Sequence, residues 1–257
     1  FQMKTFVLSL ARDGKKRALF RERFSRTTLP FVFFDGVDGK ALCSESSFSN
    51  QLLYQSLEES CLTPGEVGCA LGHYAIYREI VAKDIPYALV MEDDAYVDES
   101  DISDFLAFLD AYAADPSKNS VVLLTADVQY CHIVRSKLSG VYGGYKSGNG
   151  TFGYLIDNEA ARRLMKVILP VRYEADFWKG FQYSAGISIM VSQKGYVRNG
   201  DLSYENSCIA DDRNKLKAAR SIKQAVLFKE ECKTLKYKWR NPLIKLASCL
   251  GTIKSTI

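Results

Sequence analysis

The stretch YALVMEDD, residues 87–94, decides the fold, because an unbroken apolar run leads directly into three consecutive carboxylates. A short continuous apolar run is typical of a strand buried on both faces, as in a parallel sheet covered by helices. In such sheets, ligands bind at the carboxyl ends of the strands. The stretch therefore predicts a buried strand that carries Glu92, Asp93 and Asp94 into a ligand-binding crevice.

Three adjacent carboxylates repel one another, and at least one pKa should rise unless a cation neutralises them. A divalent cation, Mn²⁺ or Mg²⁺, held by Glu92 and Asp94 together with phosphate oxygens would remove that repulsion. Side chains two positions apart on an extended segment point the same way, so these two can share a ligand while Asp93 turns aside. The alternative is an ordinary polar loop that caps the following helix, and the triplet alone leaves both interpretations open.

Outward from this stretch, apolar runs of strand length alternate with segments of helical periodicity. The start of one helix is well marked, because Thr63 can cap it, Pro64 suits its first position and Glu66 completes a capping box. The alternation predicts an α/β fold with a mainly parallel, Rossmann-type sheet and helices on both faces. The predicted strands cover residues 5–10, 31–34, 87–91, 121–125, 130–134, 151–156 and 187–191, the predicted helices cover 13–26, 63–83, 101–113 and 158–167, and a loop with a short helix covers 40–60.

The composition favours one soluble globular domain with a short appendage. At 257 residues the chain can bury a sizeable core, and 47% hydrophobic with 25% charged residues is ordinary for such proteins. No run of eighteen apolar residues occurs and no secretion leader is recognisable, so we expect a cytoplasmic protein without a membrane-spanning helix. Seven cysteines without a CxxC pair, beside two histidines, favour reduced thiols over a structural zinc cluster.

Charge is divided unevenly along the chain, and this division sets the predicted domain boundary. Residues 213–257 carry twelve Lys and Arg against two Glu, a net charge of +10, whereas residues 1–212 carry −6. We therefore predict a folded domain over residues 3–212 and a basic helical tail over residues 213–257. Such a tail indicates an anionic partner. A nucleic acid is not expected, because the body is acidic and contains no recognised RNA- or DNA-binding motif.

Residues 62–73, LTPGEVGCALGH, form a set with two later segments, ALVMEDD at 88–94 and GTFGYLI at 150–156. Near the start, Leu8-Ser9-Leu10 with Arg17 and the Asp35-Gly36 turn belong to the same set. In this order and spacing the segments resemble glycosyltransferase family 25, which holds lipooligosaccharide-modifying enzymes of Gram-negative bacteria and the collagen galactosyltransferases. The resemblance covers about residues 3–195. Gly72 departs from it, since the family segment L-T-x-G-E-x-G-C-x-x-S-H has Ser at that place.

The resemblance implies a GT-A-type fold, a UDP-sugar donor, often UDP-galactose, and inversion at the anomeric carbon. It implies a lipooligosaccharide or lipopolysaccharide glycan as acceptor. Glu92 and Asp94 would hold the divalent metal that neutralises the leaving diphosphate, and Asp93 would orient the ribose or donor sugar. The other predicted donor-pocket residues are Ser9, Leu10, Arg12, Arg17, Asp35, Gly36, Gly150 and Thr151. Of these, the two arginines could contact phosphate, although surface arginines on a first helix are more often solvated.

An inverting transfer also needs a general base that takes the proton of the acceptor hydroxyl. The family has an acid after the late helix, and here Asp176 or Glu174 can fill that place, with Asp127 as a further candidate. Asp176 stands first by position. His73 has two interpretations, either a residue that approaches donor or acceptor, or a half-buried core residue among apolar neighbours. Tyr154 is expected to pack.

The tail sets aromatic and aliphatic residues, such as Trp239 and Leu243, among its lysines at roughly helical intervals, as interfacial membrane segments do. Two interpretations remain open. The tail could bring a peripheral enzyme to glycolipid acceptors on the inner face of the cytoplasmic membrane, or it could be a solvated helix packed on the catalytic domain. For the whole chain, the alternative to an enzyme is a non-catalytic sugar- or nucleotide-binding module of the same fold.

Overall fold

The computed structural model describes residues 3–44, 52–126, 128–131, 134–148, 150–200, 216, 218–220, 222–226, 229 and 253–256. The strands in chain order are β1 (Lys4–Ser9), β2 (Val32–Asp35), β3 (Tyr87–Glu92), β4 (Ala95–Tyr96), β5 (Ser120–Leu123), β6 (Gln129–Cys131), β7 (Val141–Tyr142), β8 (Tyr145–Ser147), β9 (Gly153–Asp157), β10 (Ser188–Ser192), β11 (Arg198–Asn199) and β12 (Ile253–Ser255). The helices are α1 (Gly14–Arg23), α2 (Gly39–Ser44), α3 (Leu57–Ser60), α4 (Pro64–Ala82), α5 (Ile102–Ala114), α6 (Asn158–Ile168) and α7 (Trp178–Ser184), with a 3₁₀ turn at Glu99–Asp101.

Seven strands form the central sheet in the order β2-β1-β3-β9-β5-β10-β7. β1 runs parallel to β2 and β3, and β10 runs parallel to β5. β9 is antiparallel to both of its neighbours, β3 and β5, and β7 is antiparallel to β10. Five of the seven strands therefore share one direction, which confirms the predicted mainly parallel sheet. The reversal of β9 in the middle of the sheet was not predicted.

Helices cover both faces of this sheet, as predicted, because its strands are apolar on both sides. Alternate residues of β3 separate into two cores. Ala88 and Val90 pack in the cluster that includes residues of α4, α6 and α7, whereas Leu89 and Met91 pack in the cluster that includes residues of α1 and α5. A strand that is buried on both faces must end at an edge to reach a ligand, and β3 ends at Glu92.

The first turn of α4 confirms the predicted capping box. Thr63 Oγ1 accepts a hydrogen bond from the Glu66 amide at 3.2 Å, and Glu66 Oε2 accepts one from the Thr63 amide at 2.8 Å. Two glycines let α2 approach this turn closely: a Cβ on Gly39 would lie 1.7 Å from the Pro64 carbonyl oxygen, and one on Gly68 would lie 2.5 Å from the Val37 carbonyl oxygen. The glycine at 68 is therefore required by backbone packing.

One predicted strand is corrected, and the predicted helical tail is described only in part. The strand expected at 130–134 is β6, and it belongs to a separate antiparallel sheet of order β12-β6-β8 instead of the central sheet. The tail was predicted to be helical. Its described residues between 216 and 229 are helical, but Ile253–Ser255 is a strand that pairs with β6. Most of the tail, including Trp239 and Leu243, lies outside the described residues.

In the part of the chain that the structure describes, no helix has the length and apolar character needed to cross a membrane.

Candidate active site

The ends of three adjacent parallel strands bring the first group of predicted site residues to one edge of the sheet. Ser9 ends β1 opposite Asp35 at the end of β2, and Glu92 at the end of β3 lies opposite Leu8. Parallel strands present their carboxyl ends at the same edge, so the register places these side chains together.

Arg17 on α1 links these strand ends. Its guanidinium donates to Ser9 Oγ at 3.2 Å and to the Ser9 carbonyl oxygen at 3.0 Å, and it pairs with Asp35. Ser9 Oγ in turn donates to Asp93 Oδ2 at 2.7 Å. Lys16 Nζ lies 3.9 Å from the other oxygen of Asp93. The first helix therefore supplies two cations to this edge, of which the sequence analysis considered only Arg17.

The other predicted donor-pocket residues of this region have different surroundings. Gly36 donates its amide hydrogen to the Ser9 carbonyl at 2.8 Å, which fixes the turn after β2. The Leu10 carbonyl accepts from the Asp13 amide at 3.0 Å, ahead of α1. Arg12 is exposed and pairs with Asp38, so the structure does not bring it into the Arg17 cluster.

Glu92 lies between hydrogen-bonding side chains from two parts of the chain, α4 and the segment before β9. Its Oε1 accepts from the Thr151 hydroxyl and lies 3.4 Å from His73 Nε2 on α4. Burial opposes the ionisation of Glu92. The hydrogen bond and charge of His73 and the hydrogen bond from Thr151 outweigh burial, and together they lower the pKa of Glu92. This carboxylate is therefore ionised at neutral pH.

His73 is buried, with 1% of its side chain exposed, and both of its ring nitrogens are engaged. Nδ1 is hydrogen bonded to the Tyr154 hydroxyl at 2.7 Å, and that hydroxyl is bonded to the Tyr77 hydroxyl at 2.9 Å. Burial raises the pKa of Tyr154 well above its usual value, so the phenol stays protonated. His73 is thus both a core residue and a neighbour of Glu92, and Tyr154, expected only to pack, orients it.

Asp94 is the least compensated member of the triplet. Burial, and then the charges of Glu92 and Asp93, raise the pKa of Asp94 to about 7. Its Oδ1 is buried without a hydrogen-bond partner among the described residues. Burial also raises the pKa of Asp93, although its bond from Ser9 and the charge of Lys16 oppose that rise. The triplet therefore carries the electrostatic penalty that its sequence predicts.

Asp176 lies one segment away from Glu92. Its Oδ2 accepts the amide hydrogen of Gly150 at 2.8 Å, and the next residue, Thr151, donates to Glu92. Trp178 Nε1 donates to the Gly150 carbonyl at 3.2 Å. Gly150 has a φ of +109°, and a Cβ there would lie 2.5 Å from the Phe152 ring, so only glycine suits this position.

Glu174 lies in a different cluster. Its Oε1 accepts from Arg220 Nη1 at 3.0 Å, and its other oxygen accepts from Gln224, both on the helical part of the tail. The structure therefore separates the two acids that the sequence left as alternatives. Asp127, the further candidate, lies outside the described residues.

Among the described residues, the set that brings three potential metal ligands within 4.8 Å of one another is Cys69, His73 and Glu92. The three carboxylates of the triplet do not form such a set. The sequence analysis did not select Cys69, although its four-residue spacing from His73 puts both on one face of α4. Within the described residues, none of the cysteines at 43, 61, 69 and 131 forms a disulfide.

The fold and this edge define an α/β protein that gathers acidic residues, an arginine and a lysine at the carboxyl ends of its parallel strands. The chain belongs to glycosyltransferase family 25. The model of that family, described as "Glycosyltransferase family 25 (LPS biosynthesis protein)", matches residues 2–178. This range includes β1 to β3, the acidic triplet, Gly150-Thr151 and Asp176.

Three individual relatives are between 29% and 38% identical to the chain over the residues that align. The chain is 29% identical over 169 residues to lipooligosaccharide biosynthesis protein lic2B of Haemophilus influenzae, covering 62% of this chain and 61% of that protein. It is 30% identical over 181 residues to lacto-N-neotetraose biosynthesis glycosyltransferase LgtB of Neisseria meningitidis serogroup B, covering 62% and 60%. It is 38% identical over 96 residues to inactive glycosyltransferase 25 family member 3 of Mus musculus, covering 35% and 16%. The chain therefore spans less than two thirds of these relatives.

Proposed function

We propose that this protein is an inverting glycosyltransferase that moves a sugar, galactose in the first instance, from a UDP-sugar to a lipooligosaccharide or lipopolysaccharide glycan. The observation that carries the proposal is the uncompensated Asp94, whose Oδ1 is buried without a partner beside two further carboxylates. A protein that maintains such a cluster at the ligand edge of its sheet is arranged to receive positive charge. The proposal is supported by the likeness to LgtB, which is named a glycosyltransferase, and to lic2B, which is named a lipooligosaccharide biosynthesis protein.

A divalent cation fits this site, because the donors offered by Glu92 and Asp94 are carboxylate oxygens, which Mg²⁺ and Mn²⁺ prefer. When bound, the cation would supply positive charge to the diphosphate of the donor. Glu92 is prepared for this role by its lowered pKa. Binding at Asp94 would lower the pKa of that group from about 7 and ionise it fully.

The donor pocket in this proposal is the edge formed by β1, β2 and the segment before β9. Arg17 and Lys16 offer positive charge beside Asp93, which we assign to the ribose or donor sugar. Ser9, Leu10, Asp35 and Gly36 would form one wall, and Gly150 and Thr151 the other. Arg12 would lie outside the pocket, since it is exposed and paired with Asp38.

Asp176 is the proposed general base, because Gly150 and Thr151 connect it directly to Glu92. Its carboxylate would take the proton of the acceptor hydroxyl while that oxygen forms a bond to the anomeric carbon. The bond from that carbon to the UDP oxygen breaks at the same time, and UDP leaves with the electron pair. Attack from the side opposite the leaving group inverts the anomeric centre.

A transfer assay with UDP-galactose and a lipooligosaccharide acceptor, with and without Mn²⁺, tests the proposal. We expect turnover that requires the cation and that Asp176→Asn lowers by roughly two to four orders of magnitude, with UDP binding nearly unchanged. Undiminished turnover in excess chelator would show that the reaction needs no divalent metal. A loss of UDP affinity in Asp176→Asn with little loss of turnover would place Asp176 in the donor pocket.

The second candidate is a non-catalytic binding module, and the likeness to a relative named inactive favours it. Against it stands the triplet, in which all three carboxylates are present and none is replaced by an amide. UDP-galactose that binds the protein at the triplet but is neither transferred nor hydrolysed, with any of the acceptors tried, would support the module.

We further propose that the protein works in the cytoplasm, on the inner face of the membrane, through its basic tail. Arg220 does not contribute to such a surface, because it is buried in the protein. The remaining basic residues of the tail would each add up to about 1 kcal/mol near anionic lipid, screened by salt. Sedimentation with anionic and neutral vesicles at low and high salt tests this, and equal partitioning to both would reject it.

A further inference from the structure

Arg220 is a buried arginine whose partners come from two parts of the chain, the start of α4 and the loop before α7. Its Nε donates to the Cys61 carbonyl at 3.0 Å, just before α4. Nη1 and Nη2 donate to the two oxygens of Glu66 at 2.8 Å and 2.7 Å, and Nη1 also donates to Glu174 at 3.0 Å. Only 8% of the guanidinium side chain is exposed. The Arg220–Glu66 contact is geometrically specific, because the two terminal nitrogens of a guanidinium match the two oxygens of a carboxylate in distance and plane.

The two carboxylates in this cluster have different tasks. Glu66 already caps α4, and Arg220 neutralises it in a two-bond pair. Glu174 is not needed for that neutralisation. Its contacts with Arg220 and Gln224 instead attach the loop between α6 and α7 to the tail helix.

That loop is held at three points along residues 171–178. At its start, Val171 exchanges backbone hydrogen bonds with Leu53 and Gln55, at 2.8 Å and 2.9 Å. In the middle, Glu174 is held by the tail. Two residues later, Asp176 accepts from Gly150 at 2.8 Å. Removing the middle attachment releases the segment between Val171 and Asp176 from the tail helix while Tyr173 stays packed in the core, so the direction of the Asp176 carboxylate is then less restricted.

We propose that Arg220 and Glu174 are positioning residues, which orient the Asp176 carboxylate toward the acceptor by fixing the loop between α6 and α7 to the C-terminal helix. The inference rests on the proposed role of Asp176 as the general base. It assigns a catalytic purpose to a segment that follows the range matched by the family model, which ends at residue 178. The chemistry that this contact serves is proton removal from the acceptor hydroxyl, and binding of the donor does not depend on it.

Two substitutions of Glu174 separate positioning from direct catalysis. Glu174→Ala removes the loop contact but leaves the Arg220–Glu66 pair, so the fold is retained. We expect kcat to fall about tenfold or more, because small displacements of a reacting group cost that much, while KM for the UDP-sugar stays within about twofold. Glu174→Gln still accepts a hydrogen bond from Arg220, so it should recover most of the lost kcat. Equal losses in both variants would overturn the proposal and make Glu174 itself the base.

Lys223→Ala is the matched control, because Lys223 lies on the same helix but donates to the Glu58 carbonyl and not to the loop. It should leave kcat unchanged. Amide hydrogen exchange at Gly150 provides a second measurement, and it should accelerate in Glu174→Ala but not in Lys223→Ala. An equal fall in kcat in Glu174→Ala and Lys223→Ala would overturn the proposal, because it would show that any contact between the tail and the domain has the same effect.

A double-mutant cycle with Asp176→Asn distinguishes failure of this inference from failure of the proposed function. If Glu174 acts through Asp176, Glu174→Ala should cause no further loss in the Asp176→Asn background. A full additional loss there would overturn the positioning role while the base assignment stands. If Asp176→Asn itself retains turnover, the base assignment fails, and the inference fails with it.

Discussion

The protein buries two groups of carboxylates, and they differ in how their charge is compensated. In the first, Glu66 receives hydrogen bonds from Thr63 and from both terminal nitrogens of Arg220. In the second, Asp94 has a buried oxygen without a partner among the described residues and a pKa raised to about 7. Burial is common to both groups, so burial alone does not mark a functional site. What marks the second group is the buried Oδ1 of Asp94, which no hydrogen bond from the described residues satisfies.

Removing the carboxylate from the uncompensated group should have the largest effect on activity. Asp94→Asn keeps the shape but cannot hold a cation, so turnover should fall by about three orders of magnitude, equivalent to about 4 kcal/mol of transition-state stabilisation. Glu92→Gln should cause an equal or smaller loss. Steady-state kinetics measures this, with circular dichroism to establish that both variants fold. Near wild-type turnover in Asp94→Asn would mean that the Asp94 group, like the Glu66 group, has no role in catalysis.

Removing the arginine from the Glu66 group should lower the stability of the protein. Arg220→Met leaves Glu66 and Glu174 buried without their counter-charge, and the free energy of unfolding should drop by about 3 kcal/mol. Urea denaturation followed by tryptophan fluorescence measures the loss. Arg163→Met is the control, because Arg163 pairs with Glu159 on the surface of α6, where an ion pair contributes about 0–1 kcal/mol. Similar losses in the two variants would mean that the Arg220 cluster is no more than a surface contact.

The pH dependence of stability should sharpen the comparison further. Because folding raises the pKa of Asp94 from 3.8 to about 7, its contribution to stability is fully present below 3.8 and is lost as pH rises through 7. In the metal-free protein, we expect a loss of about 2 kcal/mol over that range, after allowance for solvent screening at a half-buried site. Asp94→Asn should lack this part of the slope. Added Mn²⁺ should restore stability at pH 8 in the wild type only, and equal slopes in both proteins would contradict the assignment.

The smallest effect concerns the hydrogen bonds that orient His73. Tyr154→Phe removes the hydroxyl that bonds His73 and Tyr77, so the free energy of unfolding should fall by about 1 kcal/mol. Turnover should fall severalfold, because His73 then holds Glu92 less firmly. Tyr74→Phe is the control, because Tyr74 lies on α4 next to His73, and it should change neither the free energy of unfolding nor turnover. Thermal melts and kinetics of the two variants decide whether this network belongs to the site or only to the core.

Much of the fold could be predicted from the sequence, because its signals are local. The capping box of Thr63 and Glu66 lies within four residues, and the apolar run before Glu92 marks β3 directly. The direction of β9 could not be predicted, since an apolar run looks the same whichever way its strand runs. The sheet to which β6 belongs could not be predicted, because its apolar residues carry no information about which strand they pair with.

The acidic triplet was found because three adjacent carboxylates after a strand are unusual, but the partners of the site were found less well. Arg220 bonds Glu66 across 154 residues, and no spacing rule predicts such a pair. For the same reason the contact between Arg220 and Glu174 could not be predicted, and the assignment of the general base to Asp176 or Glu174 stays a prediction. Lys16 was missed because a lysine on a basic helix gives no sign of which strand end it faces.

The position of β9 also has a consequence for how the protein is made. β9 pairs with β3 on one side and β5 on the other, so it is the strand that joins the two halves of the central sheet. During synthesis at roughly 5–20 residues per second, β9 leaves the ribosome several seconds after β3. Throughout that interval the apolar strand ending at Glu92 has one edge without its native partner, and such an edge can pair with another chain. The strand that delivers the acidic triplet therefore has an open edge in the nascent chain, which a chaperone would cover until β9 is made.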